Sequence, residues 1–152
     1  MVEIVDGGLA DPQVIDLLGI HLATARSHTA PGSDHALDLS GLQAPEISFW
    51  SAWEDGQLLA VGALKRLSTT HGEVKSMHTA EAARRRGIGS TMLRHIMDVA
   101  RKSGMTKLSL ETGSWDYFQP AQALYERHGF VECAPFDTYR PDRNSLFFAR
   151  DL

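Results

Sequence analysis

A β-strand that runs into a glycine turn and reopens as an amphipathic helix constrains this chain more than any other feature. Glu73-Val74-Lys75-Ser76-Met77-His78-Thr79 reads as strand, and after four residues Arg84-Arg85-Arg86-Gly87-Ile88-Gly89-Ser90 follows. From Gly87 to Lys102, Met92, Leu93, Ile96, Met97 and Ala100 recur at helical spacing, with Gly104 as the stop. Such a turn aims several free backbone N–H groups at one point, and the helix dipole adds partial positive charge there. That is how helix N-termini hold phosphates. Gly87 and Gly89 let the backbone come close to an oxygen, while Arg84, Arg85 and Arg86 add charge. No Gly-Lys-Ser/Thr follows, so this is not a nucleoside-triphosphatase loop. Two glycines instead of three exclude the dinucleotide fingerprint.

The rest of the chain supplies a sheet for that helix to cover. Glu3 to Val5 reads as a first strand, and Asp11-Pro12 caps a helix with Val14, Leu17, Leu18, His21, Leu22 and Ala25 on one stripe. A loop with a short helix near Ala36 to Leu42 is expected between Ser27 and Pro45. Ile47 to Trp53 and Gln57 to Leu67 flank Asp55-Gly56, which favours a hairpin turn. Lys107 to Glu111 reads as strand, Pro120 opens a helix ended by Gly129, and Phe130 to Cys133 and Leu146 to Ala149 close the order β α β β β α β α β β. This is an α/β chain, read as one domain over 1–152. A 152-residue chain of 43% hydrophobic residues buries roughly 70% of its unfolded surface without staples.

Charge and cysteine count narrow the partners. The net charge is −4, from 15 Lys and Arg against 19 Asp and Glu, which argues against nucleic acid. From Arg84 to Lys102, however, six basic residues face one acid, Asp98. One cysteine, Cys133, gives no internal disulfide and reads as a small buried residue. No apolar run approaches a membrane span, and Met1 to Gly8 lacks a secretory pattern, so a cytoplasmic protein is expected. His21, His28 and His35 fall seven apart, but Pro31-Gly32 interrupts any shared helix and no metal is expected.

A second segment gives the glycine turn its meaning. Leu124-Tyr125-Glu126-Arg127-His128-Gly129-Phe130 ends a helix at a glycine before a strand, with Tyr125 thirty-six residues after Gly89. Together the two segments resemble the GNAT superfamily of acetyl-coenzyme A dependent N-acetyltransferases, from about Ile47 onward and most specifically between Glu73 and Phe130. Lys75-Ser76-Met77, Leu110 to Ser114 and the Pro135-Phe136 and Tyr139 region look like a branch of small bacterial acetyltransferases. The resemblance implies a mixed central sheet flanked by helices on both faces, with a splayed parallel strand pair forming the acetyl-CoA cleft. It implies that Arg84, Arg85, Arg86, Gly87, Ile88, Gly89 and Ser90 hold the pyrophosphate, and that main-chain groups of Met77, His78 and Thr79 pair with the pantetheine arm. Ala121 joins this set. Phe118 stands where the family often has an asparagine, so an apolar contact is expected there. Tyr125 falls where the family tyrosine approaches the thioester sulfur.

The chemistry requires an amine stripped of a proton, a stabilised carbonyl oxygen and a proton for the departing thiolate. Glu73 is the expected base: it stands eleven residues before Arg84, as does the general-base glutamate in the histone acetyltransferase branch. In unbroken alternation Glu73, Lys75 and Met77 share one face; a simple Glu73–Lys75 pair at the wet end of a strand is the plain alternative. Glu111 is the rival base, and the N–H of Met77 or His78 could meet the oxyanion. Tyr125 suits the general acid, its alternative being a core tyrosine. His35, Asp34 and Asp38, in the irregular segment, are candidate acceptor contacts with Glu111. The expected activity is transfer of acetyl to a primary amine of a small molecule, amino acid or peptide by direct attack; the alternative is a non-catalytic sensor of CoA or acyl-CoA. A second copy in a homodimer is compatible with the sequence.

Overall fold

The structure is a computed structural model, and it describes residues 1–28, 30 and 37–152. Its elements are β1 (Glu3–Asp6), α1 (Pro12–Ser27), β2 (Ile47–Glu54), β3 (Gln57–Arg66), β4 (His71–Thr79), α2 (Ile88–Lys102), β5 (Lys107–Gly113), α3 (Gln119–Arg127), β6 (Val131–Cys133) and β7 (Ser145–Asp151). Three 3-10 turns, Gly41–Gln43, Glu81–Ala83 and Asp116–Phe118, sit between them. The expected order of strands and helices is therefore the observed one. The helix expected near Ala36 to Leu42 is a 3-10 turn, and Ala36 lies outside the described residues.

The local signals work as their chemistry dictates. Asp11 accepts a hydrogen bond from the Gln13 N–H at 2.8 Å, with Pro12 at the first helical position. Glu54 pairs with Gln57, leaving Asp55 and Gly56 as a two-residue turn with φ of 51° and 75°. Positive φ at both central positions matches the right-handed twist of the hairpin. Helices cover both faces of the sheet. Val14, Leu17 and Leu18 of α1 pack with Phe49, Leu58, Val61 and Ala63 on one face. Met92, Leu93, Ile96, Met97 and Ala100 of α2 pack on the other with Leu64, Val74, Leu108 and Leu110.

The seven strands lie in the order β1-β2-β3-β4-β5-β7-β6. Each neighbouring pair is antiparallel except β4–β5, which is parallel. That parallel pairing is short: it runs from His71 opposite Lys107 to Val74 opposite Leu110 and stops. Beyond Val74, β4 stays with β3 while β5 continues with β7 to Gly113, so the sheet opens between them. The cause is in β4. Lys75 faces Ala63 and His78 faces Val61, so Gly62 alone opposes both Ser76 and Met77. Ser76 has φ of 55°, and this one-residue β-bulge bends β4 away from its parallel neighbour.

The bulge also changes the faces. Met77 turns to the α2 side, where its sulfur lies by Gly62 with Met92 and Ile96. It therefore does not share a face with Glu73 and Lys75, as unbroken alternation predicted; His78 takes that face instead, opposite Val61 of the α1-side core. A Cβ on Gly62 would stand 2.8 Å from the Met92 side chain and 3.1 Å from Ile96 and Met77. Gly62→Val should thus overpack the junction of α2 with the bulge and lower stability by about 1–3 kcal/mol in urea unfolding. Unchanged stability would show that α2 does not seat closely there.

Candidate active site

Where β4 and β5 part, a cavity of about 700 Å³ opens. Its walls come from β4, the start of α2, the end of β5, α3 and, from the other face, α1. At one end stands the N-terminus of α2, with Gly87 at φ of 77° as the cap residue and Arg85 at φ of 66° before it. No side chain caps this helix and its first turn carries no acid. The N–H groups of Ile88, Gly89 and Ser90 precede the first intrahelical bond, from the Thr91 N–H to the Gly87 carbonyl, and so remain available to an anion. A Cβ at Gly89 would come 3.2 Å from the end of the Leu124 side chain, so α3 packs closely over this glycine. Arg84, Arg85 and Arg127 also line the cavity. This cradle fits a pyrophosphate in charge and in donor geometry.

Further along β4, Glu73 is 2% exposed and its Oε2 accepts two hydrogen bonds, from Lys75 Nζ at 3.0 Å and the Tyr139 hydroxyl at 2.6 Å. Lys75 Nζ also donates to the Tyr139 oxygen at 2.9 Å. The plain alternative of a Glu73–Lys75 pair is thus correct as to the pair and incorrect as to the wet strand end. Tyr139 comes from the segment between β6 and β7, where its ring packs on Phe136 and Phe147 and roofs the carboxylate. Burial, and then the Glu73 charge, push the Tyr139 phenol well up, so it stays a proton donor. Glu111, on β5, accepts from the Ser145 hydroxyl at 2.8 Å and also lines the cavity.

Tyr125 lies on α3, 7% exposed, against Phe130 and facing the cavity. Burial pushes its phenol up to about 12, and its hydroxyl has no hydrogen-bond partner among the described residues. The residue belongs to the core cluster, as the alternative reading has it, and it also lines the cavity. Phe118 lays its ring against Gly113 at the end of β5, where any Cβ would collide with it. Phe118 lines the cavity together with Pro120 and Ala121. Two contacts had no signal in the sequence. His21 of α1 and His78 of β4 meet Nδ1 to Nδ1 at 3.0 Å, and His28 stacks on Tyr117 with ring centroids 3.9 Å apart.

Met77, His78, Thr79, Arg84, Arg85, Gly87, Ile88, Gly89, Ser90, Phe118, Ala121, Glu73, Tyr125 and Glu111 all line this one cavity. Two others do not join them. Arg86 points away, donating to Glu54 at 2.6 Å, so the turn keeps two arginines of its three. Asp38 is exposed and caps the 3-10 turn by accepting from the Gly41 N–H at 2.8 Å. His35 and Asp34 lie outside the described residues. Cys133 is exposed, not buried, because β6 is a three-residue edge strand with every residue outward. Among the described residues no group of three or more His, Cys, Asp or Glu could hold a metal ion, and no helix is long and apolar enough to cross a membrane.

The histidine pair leaves a signature in stability. Burial, with each ring's charged neighbour, holds both imidazoles down at about 4: His78 for His21, and Arg84 for His78. Unfolded, they titrate near ~6.5. Between these values the unfolded chain binds protons that the folded one does not, so this contribution to stability falls as pH drops from about 6.5 to about 4. His78→Gln should flatten that part of the stability profile in urea unfolding across pH; an unchanged slope would contradict the buried neutral pair.

Comparison with known proteins supplies the class. The model of the GNAT acetyltransferase family matches residues 18–130. The chain is 47% identical over 144 residues to the uncharacterized N-acetyltransferase YsnE of Bacillus subtilis, covering 95% of each chain. It is 40% identical over 122 residues to a protein named IAA acetyltransferase from Azospirillum brasilense, covering 79% of this chain and 78% of that one. Among solved structures, a Klebsiella pneumoniae protein with a provisional acyl-CoA N-acyltransferase assignment superposes with a TM-score of 0.84 at 27% identity, over 100% of this chain and 98% of its own. A GNAT family acetyltransferase from Elizabethkingia anophelis with acetyl-CoA bound gives 0.72 at 17% identity, over 99% and 98%. With a match that runs from within α1 to Phe130 and so spans the cleft, the chain belongs to the GNAT family of acetyltransferases, enzymes for which acetyl-CoA is the acyl donor.

Proposed function

We propose that the protein transfers acetyl from acetyl-CoA to a primary amine of a small molecule, amino acid or peptide, by direct attack within this cleft. One observation carries the reading: a carboxylate on β4 and a phenol on α3 face the same cavity as the open N-terminus of α2. A binding module needs the third feature and has no use for the first two.

In this reading the N–H groups of Ile88, Gly89 and Ser90, with Arg84 and Arg85, take the pyrophosphate. The main chain of Met77, His78 and Thr79, freed from β5 by the bulge, offers unpaired groups to the pantetheine amides. Glu73 accepts a proton from the amine. Its Oε2 is occupied by Lys75 and Tyr139, which fix the carboxylate, while Oε1 has no hydrogen-bond partner among the described residues. Tyr125, still protonated at neutral pH, donates to sulfur as the C–S bond breaks. Among the described residues, Glu73, Glu111 and Lys75 give this part of the cavity one net negative formal charge, which favours a cationic amine over an acidic acceptor.

Thiol release with a panel of polyamines, arylalkylamines, amino acids and short peptides tests the proposal, alongside calorimetry with acetyl-CoA. The wild type should bind acetyl-CoA and release thiol with at least one amine; binding without release across the panel would favour a sensor. Glu73→Gln should lower kcat by about 10²–10⁴-fold and Tyr125→Phe by about 10²-fold, both with acetyl-CoA affinity unchanged. An unchanged kcat in either variant removes that residue from the mechanism. Gly89→Leu should weaken acetyl-CoA binding by about tenfold or more, because the larger side chain must displace Leu124 or the turn itself; wild-type affinity would place the anion elsewhere.

A further inference from the structure

The proposed reaction, on which this inference rests, takes two protons off nitrogen, one before the N–C bond forms and one after it. R–NH3⁺ and acetyl-CoA become the acetamide, CoA–SH and H⁺. The N–C bond forms, the C–S bond breaks, and nitrogen gives up two protons. One is matched by the proton that Tyr125 hands to sulfur and recovers from solvent. The other must leave the protein. Glu73 is roofed by Tyr139, 2% exposed, and takes one proton at a time.

We infer that His78 Nε2 accepts the second proton and that His21 orients it, through the Nδ1-to-Nδ1 hydrogen bond that joins the two rings across the cavity. The bulge at Ser76 puts the His78 side chain on the same face of β4 as Glu73 and Lys75. Both histidines line the cavity. Two imidazole nitrogens 3.0 Å apart require one to carry hydrogen and the other to be bare. In the tautomer this inference requires, His78 donates from Nδ1 and His21 accepts, which leaves His78 Nε2 bare, with no hydrogen-bond partner among the described residues. This is the arrangement by which a third group orients a catalytic imidazole, with a histidine in place of the usual carboxylate. When Nε2 takes a proton, the charge is shared with His21 through the same bond. The nitrogen already bonded to the acetyl carbon is more acidic than the free ammonium, so a neutral imidazole suffices as its base.

Burial, and after it His78 for His21 and Arg84 for His78, keep both rings neutral above about pH 4. His78 is thus ready at neutral pH, whereas a protonated ring there would have no basic nitrogen to offer. His21 acts only through His78 and is a positioning residue.

The test uses the panel amine with the fastest thiol release. His78→Asn should lower kcat by about 10²-fold with acetyl-CoA affinity unchanged in calorimetry. His21→Ala should lower kcat by about tenfold. His21→Asn, whose amide oxygen takes the place of the accepting Nδ1, should restore most of it. The double variant His21→Ala/His78→Asn should lose no more than His78→Asn alone, because the two act as one unit. Wild-type kcat in His78→Asn, a loss confined to acetyl-CoA affinity, or equal losses in His21→Ala and His21→Asn would each overturn the inference. Wild-type turnover with a fully active His78→Asn sinks this inference alone. A wild type that binds acetyl-CoA and never releases thiol sinks the acetyl-transfer reading as well.

Discussion

One residue too many in β4 is what the rest of the structure depends on. Gly62 opposes both Ser76 and Met77, and the surplus is taken up by a bulge with Ser76 at positive φ. The parallel pairing with β5 ends two residues earlier, at Val74, and the cavity occupies the gap. Three consequences follow from that irregularity. The β4 edge keeps unpaired main-chain groups along the cleft. The side-chain alternation resets, so His78 joins Glu73 and Lys75 on one face. The strand is also redirected toward the 3-10 turn and the α2 N-terminus, where N–H groups without intrahelical partners gather at the cavity's other end. Gly62 permits all of this, since any side chain there would strike Met92 and Ile96.

Much of this was legible in the sequence because its signals are local. Asp11-Pro12, Asp55-Gly56 and the stripe from Met92 to Ala100 each act within one turn of chain, and each forms the element its chemistry dictates. The bulge was not legible: it is a mismatch of register between β3 and β4, visible only when both strands are laid side by side. Reading β4 as unbroken alternation therefore put Met77 on the wrong face. The closest contacts of the site are equally non-local. Tyr139 reaches Glu73 from 66 residues away, and His21 reaches His78 from 57. Neither pairing has a periodicity or composition to betray it.

The charge pattern resolves in the same way. The basic run that begins at Arg84 looked out of place in an acidic chain, and the structure divides it by partner. Arg84 and Arg85 face the cavity, Arg86 is tied to Glu54, and Arg101 reaches Asp98. Only the first two add to the field at the α2 N-terminus. At the end proposed for the amine, by contrast, the cation among the described lining residues is Lys75, buried and held by Glu73 and Tyr139. Counted over the described residues, the formal charge of the lining is therefore positive at the helix end and negative at the end proposed for the amine, a gradient suited to holding a polyanionic donor against a cationic acceptor.

The most direct test of this account is a crystal structure of the protein with coenzyme A. The pyrophosphate should rest on the N–H groups of Ile88, Gly89 and Ser90, the pantetheine should lie along Met77 to Thr79, and the sulfur should come within hydrogen-bond reach of the Tyr125 hydroxyl. A pyrophosphate bound away from the α2 N-terminus, or a sulfur far from Tyr125 with the arm outside the gap between β4 and β5, would contradict it.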